Sequence, residues 1–143
     1  MTVVSRIVVG YNDSPGARRA LAQAVELVRE LMSAELTAVA VEEHLPRAGD
    51  SISEVKDAHE LEQQACRRWL KAAVAYANEH GVEMATEIRV GSAPQQLVQA
   101  AAIHRAGLLV VGHSGHSALW ARFFSTTAEK VSRHASCSVL VTR

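Results

Sequence analysis

Residues 112–117, which read GHSGHS, form the segment of the chain best suited to ligand chemistry. Two glycines in such a loop let the backbone turn tightly and approach a ligand closely. Ten residues after Gly115 come three hydroxyl side chains at the predicted start of a helix, where free amides favour an anion such as phosphate. The alternative is a plain loop with a hydroxyl-rich helix cap. The predicted anion-binding residues are Gly112, His113, Gly115, His116, Ser125, Thr126 and Thr127.

A second polar group, Tyr11, Asn12 and Asp13, follows the first predicted strand. In open α/β sheets, ligands bind beyond the carboxyl ends of the strands, at the point where the strand order reverses. If the first and fourth strands are neighbours, this group faces the loop that begins at Gly112. We therefore expect the two segments to contribute to one binding site.

The charge of the chain is balanced in total but not along its length. Fifteen basic and fifteen acidic residues give a net charge of zero, which argues against a dedicated nucleic-acid-binding domain. Residues 104–143 carry five basic side chains and one acidic side chain, a net charge of +4, whereas residues 1–103 have a net charge of −4. The basic excess falls on the segment with the predicted anion loop, although a solvated basic surface or a dimer contact would explain it equally well.

Strand and helix signals alternate along the chain. Short β-branched runs alternate with segments whose apolar residues recur every three or four positions, and Ser14 and Pro15 are typical of a helix start. Strands are predicted at 6–11, 36–41, 83–90, 108–111 and 138–141, and helices at 15–31, 54–80, 93–105 and 126–134. Strict alternation indicates an α/β fold with an open parallel sheet and helices on both faces. We predict one domain over residues 1–143, with a polar loop at 42–53.

Apolar residues recur along one face of the second predicted helix, and we predict that this face is buried. Gly81 follows it as a plausible stop, and Cys66, within it, is interpreted as a structural thiol. Cys66 and Cys137 are far apart and in no CxxC spacing, which excludes a cysteine-rich zinc module or a disulfide scaffold. The residues of the apolar line are Leu61, Ala65, Trp69, Ala72 and Tyr76.

The sequence predicts neither a membrane-spanning segment nor a signal peptide. No apolar run approaches the roughly 18 residues that a membrane span needs, and the first ten residues pass directly into turn residues. We expect a cytoplasmic protein without membrane insertion.

Three other kinds of site are disfavoured. His113 and His116 are three residues apart but have no nearby cysteine or carboxylate to complete a metal site. The loop lacks the GxSxG spacing of a hydrolase nucleophile. The third predicted strand ends Arg89-Val90-Gly91, without the aspartate that a phosphate-accepting receiver domain needs.

The segment from Gly112 to Arg143, together with IVVGYNDSPGARRAL at residues 7–21, resembles the universal stress protein family. The resemblance covers essentially the whole chain, and its most specific part is EKVxRHAxCxVLV, from Glu129 to Val141. It implies a Rossmann-like or flavodoxin-like sheet with strand order 3-2-1-4-5. It also implies a homodimer formed through the last strand.

The resemblance further implies a nucleotide site, from which this chain departs at two positions. Family members that bind ATP carry Gly-x2-Gly-x9-Gly-Ser/Thr; Gly112, Gly115 and Thr126 match, but Ser125 stands at the third glycine. Asn12 stands where an aspartate usually contacts the nucleoside, and Val41 matches the position whose backbone meets the adenine. The implied ligand is ATP or a related adenine nucleotide, with or without Mg²⁺.

Two functions therefore remain as hypotheses. The first is a stress-response regulatory protein, not an enzyme, whose nucleotide occupancy alters dimer shape or the binding of an unidentified protein partner. The second is a family member that binds no nucleotide and acts as a scaffold, with Asn12 and Ser125 marking a lost site. Slow ATP hydrolysis is a weaker third possibility, because only histidines stand near the loop as general bases.

Overall fold

Five strands and four helices alternate in the part of the chain that the structure describes, residues 4–43, 48–113 and 127–143 of a computed structural model. All strand pairs are parallel, and their order is β3-β2-β1-β4-β5. This confirms the predicted fold class and strand order. The strands are β1 (Arg6–Gly10), β2 (Glu35–Glu42), β3 (Met84–Val90), β4 (Leu108–Gly112) and β5 (Ser138–Thr142), and the helices are α1 (Pro15–Leu31), α2 (Ile52–Glu79), α3 (Ala93–Ile103) and α4 (Thr127–His134).

Strand β1 lies at the centre of the sheet and is buried on both faces. Ile7 and Val9 pack with residues of α1 and α2 on one face, whereas Val8 packs with residues of α3 and α4 on the other. A parallel strand covered on both sides needs an unbroken apolar run, which explains the sequence IVV. On its two edges β1 pairs with β2 and with β4, so the carboxyl ends of these three strands lie together.

Helix α2 buries a different face from the one predicted. Its buried residues are Cys66, Leu70, Ala73 and Ala77, whereas Leu61 is 68% exposed and Ala72 is exposed. The predicted line is therefore wrong by about one residue, because mostly small side chains pack directly on the sheet while Trp69 and Tyr76 flank them. The helix begins at Ile52, two residues before the predicted start, since Ser51 Oγ accepts from Glu54 N at 3.1 Å. The predicted stop is confirmed by Gly81, which follows α2 with φ +76°.

Strand β2 extends through Glu42, which corrects the prediction that the polar loop begins there. Glu42 is only 1% exposed, and its carboxylate forms a hydrogen bond with Nδ1 of His59 on α2. A buried carboxylate needs such a partner, and this one comes from a separate element. The connection between β2 and α2 is accordingly shorter than predicted.

Candidate functional site

A cavity of about 340 Å³ lies where the carboxyl ends of β1, β2 and β4 meet. Because β1 pairs with β2 on one edge and with β4 on the other, this is the point where the strand order reverses. Ligands in open α/β sheets bind at such a point. Strands β1 and β4 are neighbours, as the expectation of one shared site requires, and Asn12 and His113, which follow them, both line the cavity.

Six of the predicted site residues line this cavity. They are Tyr11, Asn12, Val41, Gly112, His113 and Thr127. Asp13 is not among the lining residues; its carboxylate instead pairs with Arg18. The predicted residues Gly115, His116, Ser125 and Thr126 lie outside the described part of the chain.

One side of the cavity, the α1–β4 wall, consists of Asn12, Ser14, Gly16, Gly112 and His113. Asn12 Oδ1 accepts from the backbone N of Ser14 at 3.2 Å and from its hydroxyl at 2.6 Å. Ser14 Oγ in turn accepts from Ala17 N at 3.2 Å, which confirms Ser14 as the N-cap of α1. The Asn12 oxygen is thus occupied locally, whereas its amide NH₂ group has no partner among the described residues and can donate to a ligand.

Two glycines of the α1–β4 wall bring the backbones of α1 and β4 into direct contact. A Cβ at Gly16 would lie 2.6 Å from the carbonyl oxygen of His113, and a Cβ at Gly112 would overlap the carbonyl group of Gly16. Neither position could hold a side chain unless one backbone segment shifted. Gly112 therefore has a packing role, in addition to the ligand approach for which it was singled out.

Tyr11 is buried beneath this wall and holds the turn after β1. Its hydroxyl donates to Asp13 Oδ1 at 2.9 Å, and Arg18 Nε donates to the same oxygen at 3.1 Å. Burial and the neighbouring Asp13 raise the pKa of Tyr11 from 10.0 to about 12. Arg18 and the Tyr11 hydroxyl lower the pKa of Asp13. Asp13 adopts a φ of 59°, and its side-chain bonds tie this turn to α1.

The opposite side of the cavity, the α2–β2 wall, consists of Val41, Glu43, Glu62 and Trp69. Glu43 Oε1 accepts from Ala93 N at 2.9 Å, at the start of α3. Ser92, the N-cap residue of α3, makes no side-chain capping bond, so Glu43 serves this helix end instead. The wall therefore combines apolar and aromatic surface with two carboxylates.

Sequence reasoning did not identify Glu43, Glu62 and Trp69 as site residues. Glu43 fell in the predicted loop, and Trp69 was assigned to the buried line of α2. A usable signal existed, because Glu62 and Trp69 are seven residues apart and so share one face of a helix. That face points to the cavity because it adjoins the buried line that packs on the sheet.

Three further findings bear on other kinds of function. Within residues 4–43, 48–113 and 127–143, no group of three or more His, Cys, Asp or Glu side chains could hold a metal ion. The helices in this same part of the chain include none long and apolar enough to cross a membrane. Cys66, which the sequence predicts to be a half-buried structural thiol, is in fact fully buried, and burial raises its pKa.

The sequence matches the model of the universal stress protein family over residues 4–143. A universal stress protein of Synechocystis is 30% identical over 87 residues, which cover 61% of this chain and 56% of that protein. A universal stress protein of Methanocaldococcus jannaschii is 28% identical over 139 residues, which cover 96% of this chain and 81% of that protein.

Solved structures share the fold over nearly the whole chain. A universal stress protein crystallised in complex with cAMP has a TM-score of 0.80 and 23% identity, with 99% of each chain covered. An Arabidopsis thaliana universal stress protein family member with AMP bound has a TM-score of 0.72 and 20% identity, with 96% of this chain and 90% of that chain covered. At these identities the likeness shows the fold alone.

Proposed function

Because this chain belongs to the universal stress protein family, we propose that it is a stress-response regulator that binds an adenine nucleotide between the α1–β4 and α2–β2 walls. The ligand is ATP or a related adenine nucleotide, with or without Mg²⁺. The observation that carries the proposal is the cavity at the switch point. One side of it has amide and hydroxyl groups, and the other has apolar and aromatic surface with two carboxylates. Two similar proteins crystallised with cAMP and with AMP support the choice of ligand class.

The sheet spacing supports a nucleotide laid across the three strand ends. Neighbouring strands are about 4.8 Å apart, so the ends of β2 and β4, on either side of β1, are separated by roughly 10 Å. In this arrangement the phosphate lies toward Gly112, His113 and Thr127 and the base toward Val41. The free amide of Asn12, between them, donates to a ribose or phosphate oxygen, which an aspartate could not do.

A homodimer through β5 is part of the proposal. β5 is the last strand of the sheet order, and its Val139, Leu140 and Val141 are only partly buried. An edge strand with apolar side chains is suited to pairing with another chain.

The substitution Val139→Lys tests this dimer. It is expected to convert the dimer to a monomer, measured by light scattering, while the far-ultraviolet circular dichroism spectrum stays unchanged. A wild-type chain that is monomeric would contradict the proposed dimer.

A second candidate is a scaffold that binds no nucleotide. The packing of Gly112 against Gly16 is compatible with this alternative. Because the fold itself requires these two glycines, their presence is no evidence for a ligand. In this alternative the partner protein docks without regard to nucleotide.

Isothermal titration of nucleotide-free protein tests the leading proposal. AMP, cAMP, ADP and ATP are each titrated to millimolar concentration, and at least one is expected to give saturable heat. Val41→Glu, which adds a carboxylate at the base end, should abolish it, whereas Val90→Glu on the exposed end of β3 should not. Absence of heat with all four ligands would favour the scaffold. Phosphate release far slower than ligand exchange is expected of a regulator rather than an enzyme.

A further inference from the structure

Helix α2 contributes two cavity-lining side chains of contrasting chemistry, Glu62 and Trp69. They are seven residues apart, which places them on one face of the helix at a separation of about 10 Å along its axis. Both side chains line the same cavity. Helix α2 therefore presents to it one surface that carries an aromatic ring and a carboxylate.

This surface lies at the end of the cavity remote from the anion-binding groups. In the described residues α2 contacts β2 and β3, whereas Gly112 ends β4 and His113 follows it, on the far side of β1. A nucleotide that places its phosphate near Gly112 and Thr127 therefore extends its base toward α2. An aromatic ring at that end offers a stacking surface, and base–aromatic stacking is a general source of affinity.

The two carboxylates at this end differ in how far they are already engaged. Glu43 Oε1 accepts from Ala93 N, whereas Glu62 has no hydrogen bond or ion pair with any described residue. An ionised carboxylate only accepts hydrogen bonds. Glu62 thus suits a base edge that donates, such as an exocyclic amine, and disfavours an edge that presents a carbonyl oxygen.

We propose that α2 determines which base the cavity accepts: Trp69 stacks on a purine ring, and Glu62 accepts a hydrogen bond from the 6-amino group of adenine. This inference rests on the proposed nucleotide-binding function and adds the residues that select the base. It disfavours hypoxanthine, whose 6-carbonyl oxygen would face the Glu62 carboxylate.

Paired titrations with AMP and IMP test the role of Glu62, because these ligands differ at the 6-position of the purine, an amine in one and a carbonyl in the other. The wild-type protein is expected to bind AMP at least about tenfold more tightly than IMP. In Glu62→Gln the new amide can donate to the carbonyl of IMP, so the two affinities should come within about threefold of each other. Glu60→Gln, the same change at an exposed position of α2, should keep the wild-type ratio.

Trp69→Leu tests the stacking surface separately. It should weaken AMP and IMP by a similar factor, about tenfold, while it leaves their ratio unchanged. Quenching of tryptophan fluorescence on AMP binding should be lost in the same variant. Circular dichroism and the thermal midpoint show whether each variant is folded, and Trp69→Phe, which retains an aromatic ring, should recover most of the affinity.

The outcomes distinguish the inference from its premise. Equal binding of AMP and IMP by the wild type, or an unchanged ratio in Glu62→Gln, overturns the role of Glu62. Unchanged affinity in Trp69→Leu overturns the stacking role. Failure of the wild type to bind any adenine nucleotide overturns the proposed function itself, and the inference with it.

Discussion

The two sides of the cavity are built by different means. In the α1–β4 wall, the backbones of α1 and β4 are in direct contact, because Gly16 and Gly112 leave no room for a Cβ. The side-chain oxygens of Asn12 and Ser14 accept hydrogen bonds from backbone N–H groups of the turn and of the first turn of α1. In the α2–β2 wall, side chains form the surface, and Glu62 has no partner among the described residues. Glu43 of that wall bonds to the start of α3 through Ala93 N, and Val41 belongs to β2, which pairs with β3.

This difference separates stability from ligand choice. A substitution in the α1–β4 wall disturbs the packing of α1 on β4 and so acts first on the free energy of unfolding. A substitution at Glu62, in the α2–β2 wall, changes the surface offered to a ligand and leaves the fold largely intact. The two walls should therefore respond in opposite ways to the same measurements.

The largest expected effect is at Gly112. Gly112→Ala forces a Cβ against the Gly16 carbonyl and should lower the free energy of unfolding by about 2–3 kcal/mol, measured by urea denaturation. The matched control is Gly107→Ala, whose Cβ would have its nearest contacts with Val4, at 3.5 Å. It should be neutral or slightly stabilising, since alanine restricts the unfolded chain. Equal losses in both variants would contradict the close contact of α1 with β4.

The two serine N-caps give the next contrast. Ser14→Ala removes the hydroxyl that accepts from Ala17 N and should cost about 1 kcal/mol. Ser92→Ala should change the free energy of unfolding by less than about 0.5 kcal/mol, because Glu43 accepts from the start of α3 in its place. A comparable loss in both variants would show that Glu43 does not serve as the cap.

Tyr11, beside the α1–β4 wall, should make the free energy of unfolding depend on pH in the alkaline range. Its pKa is about 12 in the folded chain against an ordinary value of 10.0, so the folded state holds the phenol proton more tightly. The free energy of unfolding should therefore be unaffected by this group below pH 10 and fall as the pH rises from 10 to 12. Tyr11→Phe should remove that fall and cost about 1 kcal/mol or less at neutral pH, through the lost bond to Asp13. Denaturant midpoints over this range provide the measurement.

The smallest effect on stability is expected at Glu62. Glu62→Gln removes a charge that has no partner in the described residues and should shift the free energy of unfolding by less than about 0.5 kcal/mol. The same variant is expected to change the ratio of AMP affinity to IMP affinity most strongly. It therefore separates an effect on ligand choice from an effect on stability most clearly. A loss above 1 kcal/mol would instead make Glu62 a structural residue.

The features that could be predicted from the sequence are those with a local cause. Ser14 and Pro15 mark the start of α1, Gly81 marks the end of α2, and the alternation of elements indicates the sheet. Asn12, Gly112 and Thr127 could be assigned to one site because the carboxyl ends of neighbouring parallel strands must converge. Each of these follows from backbone geometry or from residues close in sequence.

The features that escaped prediction depend on contacts between distant elements. Glu42 pairs with Val90 of β3, and its buried carboxylate finds a partner in His59 of α2. The prediction of the buried face of α2 was wrong because it followed the large side chains of Leu61 and Trp69. The residues that pack on the sheet are mostly small ones. The role of Glu43 requires the placement of α3 beside the end of β2, which no local pattern contains.

The central position of β1 has a consequence for how the chain acquires its structure during synthesis. Ile7 pairs with Leu36 on one edge of β1 and with Leu108 on the other, and Leu108 is synthesised much later than Leu36. Until α3 and β4 have emerged from the ribosome, a three-stranded β3-β2-β1 sheet would carry an open apolar edge at β1. Such unpaired edges promote aggregation of nascent chains. Protection of this edge by chaperones, rather than the stability of the finished fold, is therefore expected to limit the yield of soluble protein.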